Sequence, residues 1–391
     1  MNRYLFTYFF IVTLFVSCKK ALISEIEIIN SEQSNRTRIS TLFQEINFIP
    51  LETTIDGLIG LDVKKIEIFD DKIFALNILS SHSNILCFSK ESGKFLFKID
   101  RIGKGPNEYT YLGNFLIDKY KKQIILLVEQ GRYLYFDLEG NYLHDEKATD
   151  NYTTRQILQM NDSTLLAYND ATLPPEGYNI LYVDSKTLNI RAKSNDIQDY
   201  IKSSVYSPLC IHNENTLFYN TDDSIHNLED GKVMYFTNFG EKHNKSKHYL
   251  SNFQNNNSHE AYLEEFIKLF VKNEFFLVRS IIENQKWVII NAYKNRGAEE
   301  LDGISFFLLY EKASKKVYHS EDLIFDIMNL SHMQNMCVLF ANDDELYCLI
   351  KEDFSADDLK KIKHSSLSPE NKERILGRSF EDNPILLHLK N

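Results

Sequence analysis

Three arginines stand where recognition chemistry is possible. Arg155 and Arg279 lie at the entrances to apolar, strand-like runs, and Arg101 opens the stretch that joins one such unit to the next. A guanidinium presents a rigid fork of donors that fits a carboxylate, so their convergence would suit an anionic ligand such as a carboxylate or an acidic sugar. Tyr109 and Tyr206 would add a stacking platform beside them. The competing arrangement has each arginine paired with a neighbouring acid, locking structural elements together.

Other chemistry finds less support. Asp70-Asp71, Asp222-Asp223 and Asp343-Asp344 fall between strand-like runs, where Asp is an ordinary turn residue, and no EF-hand spacing surrounds them. The 11 histidines include no HExxH pair, and His243, His248 and His259 cluster only in a polar, Asn-rich stretch that reads as solvated loop. No metal site is expected. A Gly-x-Ser-x-Gly elbow is missing, so a hydrolase of that kind is unsupported. The glycines of Arg101–Tyr109 (RIGKGPNEY) lack the Lys-Ser/Thr of a phosphate loop, and Glu108 stands where a dinucleotide fingerprint needs its third glycine. No cofactor is expected. That stretch reads as a turn between two β-units, with Gly103 and Gly105 permitting unusual φ and Pro106 stiffening it.

The elements that would position these residues repeat along the chain. An apolar strand, a short polar turn and a second strand recur, with second strands beginning at Ile73, Ile124, Leu165, Leu217, Trp287 and Leu346. The steps are 51, 41, 52, 70 and 59 residues. Periods of that size built of short strands predict a propeller of four-stranded blades. Four units continue into third and fourth strands through turns such as Glu91-Ser92-Gly93-Lys94 and Glu139-Gly140-Asn141, whose Gly and Asn suit tight hairpins. Alignment of the units puts Lys64, Asn114, Arg155, Ser207 and Arg279 near the starts of innermost strands, ringing one end of a central channel.

The 70-residue step holds an insertion, about 245–272, in which Tyr262, Phe266, Leu269 and Phe270 recur at helical spacing. After Phe354, Ser355 and Ser368-Pro369 mark the starts of two short helices, with Gly377 ending the second. A propeller closes by completing one blade from both chain ends, and Thr41–Leu51 and Pro384–Leu389 are the candidates.

Met1–Ser17 has a basic start at Arg3 and an apolar run, Leu5–Val16, too short for a comfortable membrane span. It ends in Phe15-Val16-Ser17-Cys18, which resembles a bacterial lipoprotein signal. Cys18 would then be lipidated, 18–40 would be a tether, and the lipid would be the membrane attachment. The expected organisation is signal peptide 1–17, lipidated Cys and tether 18–40, and one propeller over 41–391. Of the five cysteines, Cys87, Cys210, Cys337 and Cys348 remain, and apolar surroundings favour core thiols over disulfides. A net charge of −11 without a basic block disfavours nucleic acid. With 43% hydrophobic residues, 27 Phe and 22 Tyr, the chain can fill a large β core.

The phrase Gly103-Lys104-Gly105-Pro106-Asn107-Glu108-Tyr109 following the Ser92-Gly93-Lys94 hairpin resembles that of the six-bladed β-propeller lipoproteins of Bacteroidetes, relatives of NHL and TolB-like propellers. The terminal Asp382-Asn383-Pro384-Ile385-Leu386 resembles their last strand. The resemblance covers most of 41–391 and implies an all-β, six-bladed propeller with an inserted helix and short C-terminal helices, located in the cell envelope. It implies no reaction. The expected work is binding of a glycan, peptide or envelope protein at the channel mouth through Arg101, Tyr109, Arg155, Tyr206 and Arg279. The alternatives are a propeller lyase or hydrolase acting on a glycan or peptide, and a scaffold in an envelope complex.

Overall fold

The structure, a computed structural model, describes residues 26–391 apart from 61, 151–153, 169–177, 197–206, 213–214, 221, 255–257, 273–274, 296–302, 334, 351–353 and 380. Tyr206, Cys18 and the expected signal peptide therefore lie outside the described residues.

The described chain opens with β1 (Glu27–Asn30), β2 (Thr37–Arg38) and β3 (Glu45–Pro50). Blade 1 is β4 (Asp62–Phe69), β5 (Lys72–Ile78), β6 (Ser83–Ser89) and β7 (Phe95–Ile99). Blade 2 is β8 (Leu112–Asp118), β9 (Gln123–Val128), β10 (Arg132–Asp137) and β11 (Tyr142–Lys147). Blade 3 is β12 (Gln156–Gln159), β13 (Thr164–Tyr168), β14 (Tyr178–Asp184) and β15 (Ile190–Asp196). Blade 4 is β16 (Leu209–His212), β17 (Asn215–Tyr219), β18 (Ser224–Asn227) and β19 (Val233–Asn238), with β1 added in parallel outside β19. Blade 5 is β20 (Leu277–Glu283), β21 (Trp287–Asn295), β22 (Gly303–Glu311) and β23 (Lys316–His319), followed by β24 (Leu323–Ile324), which pairs with β2. Blade 6 is β25 (Met336–Ala341), β26 (Glu345–Ile350) and β27 (Ile385–Lys390), completed by β3. The six-bladed propeller is therefore the fold.

The ring closes as the two chain ends predict. β27 pairs antiparallel with β3 along its length, Ile385 opposite Pro50 and Lys390 opposite Glu45. The next blade fixes this edge, because Gly93, at φ 71°, brings its Cα against the Pro50 carbonyl where a Cβ would collide.

Buried apolar side chains gather in the six seams between neighbouring blades. Phe74 and Cys87 meet Phe115 and Phe136 between blades 1 and 2, and Trp287 and Leu309 meet Cys348 and Leu387 between blades 5 and 6. The four described cysteines are free thiols inside these seams. Burial pushes the Cys87 thiol up to about 12, so it stays protonated.

The insertion is two helices, α1 (Glu241–Gln254) and α2 (His259–Val271). The C-terminal pair is α3 (Ala356–Lys363), opened by a Ser355–Asp358 capping box, and α4 (Pro369–Leu376), capped by Ser368. One expectation fails in part. Residues 26–40, expected as tether, are built into the propeller: β1 extends blade 4, and the Ser34 hydroxyl accepts from His319 N at 2.7 Å.

Candidate functional site

The innermost strands β4, β8, β12, β16, β20 and β25 enclose a channel of about 560 Å³. Its wall mixes apolar side chains such as Val63, Leu209 and Val338 with polar ones such as Lys65, Gln156 and Ser280.

At the mouth where these strands begin stand Lys64, Ser207 and Arg279. Arg279 is held on three sides. Its carbonyl accepts from Ser207 N at 2.9 Å, its guanidinium lies 4.9 Å from the centre of the Tyr293 ring, and its Nη2 reaches Asp62 of blade 1 at 3.4 Å. Blade 6 lies between those two blades, so the arginine spans part of the mouth. Lys64 Nζ donates to the Gly113 carbonyl at 3.3 Å. Stacking and a long ion pair fix the Arg279 fork without using all five of its N–H groups.

In the middle, Lys65 is engaged twice: its ammonium meets the Phe115 carbonyl at 2.7 Å and Glu67 at 2.9 Å. The far mouth carries Glu67, Lys119, Tyr120, Gln159, His212 and Asp343. Gln159 is spent on Asp118 and on Lys119 N, at 2.8 and 2.9 Å, and His212 lies 3.5 Å from Asp343. This mouth was missed by sequence reasoning, although Glu67 inside an apolar strand was a visible signal.

The four described sequence candidates are not gathered at one point. Arg279 lines the channel. Arg155 sits beside that mouth, half-buried, its N–H bonded to Tyr168 O at 2.9 Å and its carbonyl accepting from the Asn114 amide. Arg101 does not reach the channel wall; it lies 5.8 Å from the Phe136 ring, toward the outer part of blade 2. Tyr109 is no stacking platform, since it is wholly buried and its hydroxyl donates to the Ser83 carbonyl at 3.1 Å. Burial raises its phenol well above the usual range. Tyr206 precedes Ser207, outside the described residues.

The glycine-rich phrase is a structural crossing, for a reason other than backbone freedom. Neither Gly103 nor Gly105 has a positive φ; a Cβ on Gly103 would strike the Glu108 carboxylate, which turns back to accept from Gly105 N at 2.8 Å. Tyr109 N–H then bonds Arg101 O at 2.8 Å, and Arg132 donates to the Glu108 carbonyl at 2.8 Å. The expected solvated histidines need a second correction. His243 is 2% exposed on α1, stacked against Phe275 and Phe276. Its Nδ1 accepts from Phe276 N at 3.0 Å and its Nε2 lies 3.3 Å from Asp223, which also holds Lys247 at 2.5 Å. This cluster pins the inserted helices to blade 4, and Asp223 is part of a buried network as well as a turn. Among the described residues, no group of three His, Cys, Asp or Glu side chains is placed to hold a metal ion.

Residues 23–390 match a family described as a domain of unknown function, DUF4934. A Bacteroides fragilis protein named as exported has a similar structure, with TM-score 0.65 and 19% identity over 94% of this chain and 100% of its own. A member of the DUF4221 family from Bacteroides vulgatus is similar at TM-score 0.50 and 12% identity, over 89% of this chain and 97% of its own. At these identities the likeness is one of fold. A search of curated proteins gives no match.

Proposed function

The chain belongs to the DUF4934 family, and from that premise we propose that it is an extracytoplasmic binding protein, anchored through an acylated Cys18, that takes a carboxylate-bearing glycan, peptide or protein segment at the Arg279 mouth. The observation that carries the reading is the pre-set Arg279 guanidinium at the entrance of a channel large enough for a small ligand or the tip of a longer one. Lys64 lines the same mouth and Arg155 stands beside it, on a chain whose net charge is −11. The Bacteroides fragilis protein of similar fold is named as exported, which agrees with this location, and no described helix is long and apolar enough to cross a membrane.

The test is a binding screen of a form starting at Lys19 against acidic and neutral glycans and peptides, with Arg279→Ala and Lys64→Ala beside the unaltered chain. Losing a charge-assisted hydrogen bond costs about 1.5–3 kcal/mol, so Arg279→Ala should weaken an acidic ligand roughly tenfold to a hundredfold. Arg191→Ala, on the outer strand of blade 3, is the control. Equal affinity in Arg279→Ala and Lys64→Ala would remove the proposal, and turnover of a bound glycan or peptide would move it to the lyase or hydrolase class.

A further inference from the structure

We infer that the outer edge of blade 4 rests on the lipid bilayer to which Cys18 ties the chain, leaving both channel mouths open to solvent. This rests on the acylation of Cys18 proposed above.

The argument begins at β1, where the chain enters the described fold. Its side chains alternate. Glu27 turns inward, taking the Tyr310 hydroxyl at 2.5 Å and Lys315 Nζ at 3.2 Å, and Ile29 is fully buried. Ile26 and Ile28 turn outward and are 50% and 60% exposed. Parallel pairing sets Ile28 opposite Phe236. Phe236 is half-buried on that face of β19, so Ile26, Ile28 and Phe236 form one apolar stripe along the rim, while Met234 packs against the seam between blades 4 and 5. The outer edge of β1 has no strand partner among the described residues. Two cations nearby are spent, Lys232 on Asp230 at 2.6 Å and Lys315 on Glu27, so the strip would meet a bilayer as apolar surface.

The position of the acyl group selects the occupant. Eight residues carry the chain from Cys18 to Ile26, a reach of about 28 Å at full extension. A bilayer holding the acyl chains therefore lies within about 28 Å of this edge, the part of the fold nearest to the acyl group along the chain. β1 is the fifth strand out from the channel, about 20 Å from its wall at ordinary strand spacing, so contact there leaves the mouths uncovered. Tyr249, Leu263 and Ile267 on α1 and α2 are also exposed, but nothing ties them to a membrane.

The experiment uses the acylated chain in vesicles of phosphatidylethanolamine and phosphatidylglycerol doped with a photoreactive phospholipid. Intact mass reports the acyl group, and peptide mapping reports where the lipid cross-links. Cross-links are expected on Ile26–Asn30 and Met234–Phe236, and the double variant Ile26→Asp, Ile28→Asp should lose at least about fivefold in their yield while keeping its acyl mass and its unfolding midpoint. An unacylated Cys18 overturns the inference together with the anchoring it rests on. An acylated chain that cross-links through α1 and α2, or not at all along β1 and β19, overturns the edge contact alone. A dimer that dissociates in the double variant, without lipid cross-links, assigns the stripe to a second copy and overturns it too.

Discussion

Glu345 gathers more partners than any turn acid needs. Its Oε2 takes Lys90 Nζ at 3.1 Å, the Asn342 amide at 2.9 Å and the Tyr347 hydroxyl at 3.2 Å, and its Oε1 lies 3.1 Å from His388 Nε2. Burial alone would raise the carboxyl, but the Asn342 amide and the Lys90 ammonium outweigh it and hold the group at about 2, down from 4.5. A depressed carboxyl contributes stability that is present above its unfolded value and is lost as pH falls toward 2. Burial also lowers His388, despite the attraction of Glu345. The fold thus favours its neutral form, and that contribution fades as pH drops below the ordinary histidine value of 6.5. Both effects act on the seam between blades 6 and 1 and have the same sign. Thermal unfolding should shift to lower temperature from about pH 6 downward, and Glu345→Gln should flatten the part of that profile below about pH 4.5 by on the order of 1 kcal/mol. A variant with an unchanged acid limb would remove Glu345 as its source. Single residues were the least legible scale in the sequence. Tyr109, Glu108 and His243 are polar or amphipathic groups whose roles depend on what another segment brings to them. Nothing near His243 in sequence announces that Phe275, Phe276 and Asp223 surround it.

Between elements, each seam carries its own polar clasp. Asn291 of β21 donates to Val338 O at 2.8 Å and accepts from Val338 N at 2.9 Å, and Gln156 treats Leu209 in the same way at 2.7 and 2.9 Å. Lys65, Asn114 and the Ser207 backbone serve three further seams, and Lys90 with Glu345 serves the last. An amide side chain can satisfy both backbone groups of an inner strand that has no ladder partner on the channel side. Asn291→Ala should therefore cost about 2–4 kcal/mol, seen as a lowered denaturant midpoint, because two buried backbone groups lose their partners. A midpoint within experimental error of the unaltered chain would sink the clasp. Strands and turns were legible at this scale because alternation and Gly, Asn and Asp turns are local signals. The outer strands of blade 4 and the strand β1 were not. Ile26–Ile29 is too short to show a period, and its pairing with β19 is set by a sheet edge that the sequence does not display.

For the whole molecule, the blade count and the closing of the ring could be read from six recurring strand pairs and two unmatched terminal strands. The channel could be placed but not furnished, since which inner-strand side chains face the axis depends on the twist of each blade. Removing residues 384–391 would leave β3 and β26 with bare edges and open the Trp287 seam, where the indole N–H donates to Asn391 at 2.9 Å. The shortened chain should lose its single cooperative unfolding transition and aggregate through those edges. A sharp transition at the original midpoint would count against closure as the source of cooperativity.

The pairing of β3 with β27 also sets an order of events. A chain delivered to its destination amino end first presents β3 early and must keep that strand unpaired until the final residues arrive, more than three hundred positions later. Completion of the circle is thus reserved for the last segment to emerge, and a chain stalled anywhere before it carries an unfinished blade that quality-control proteases can recognise.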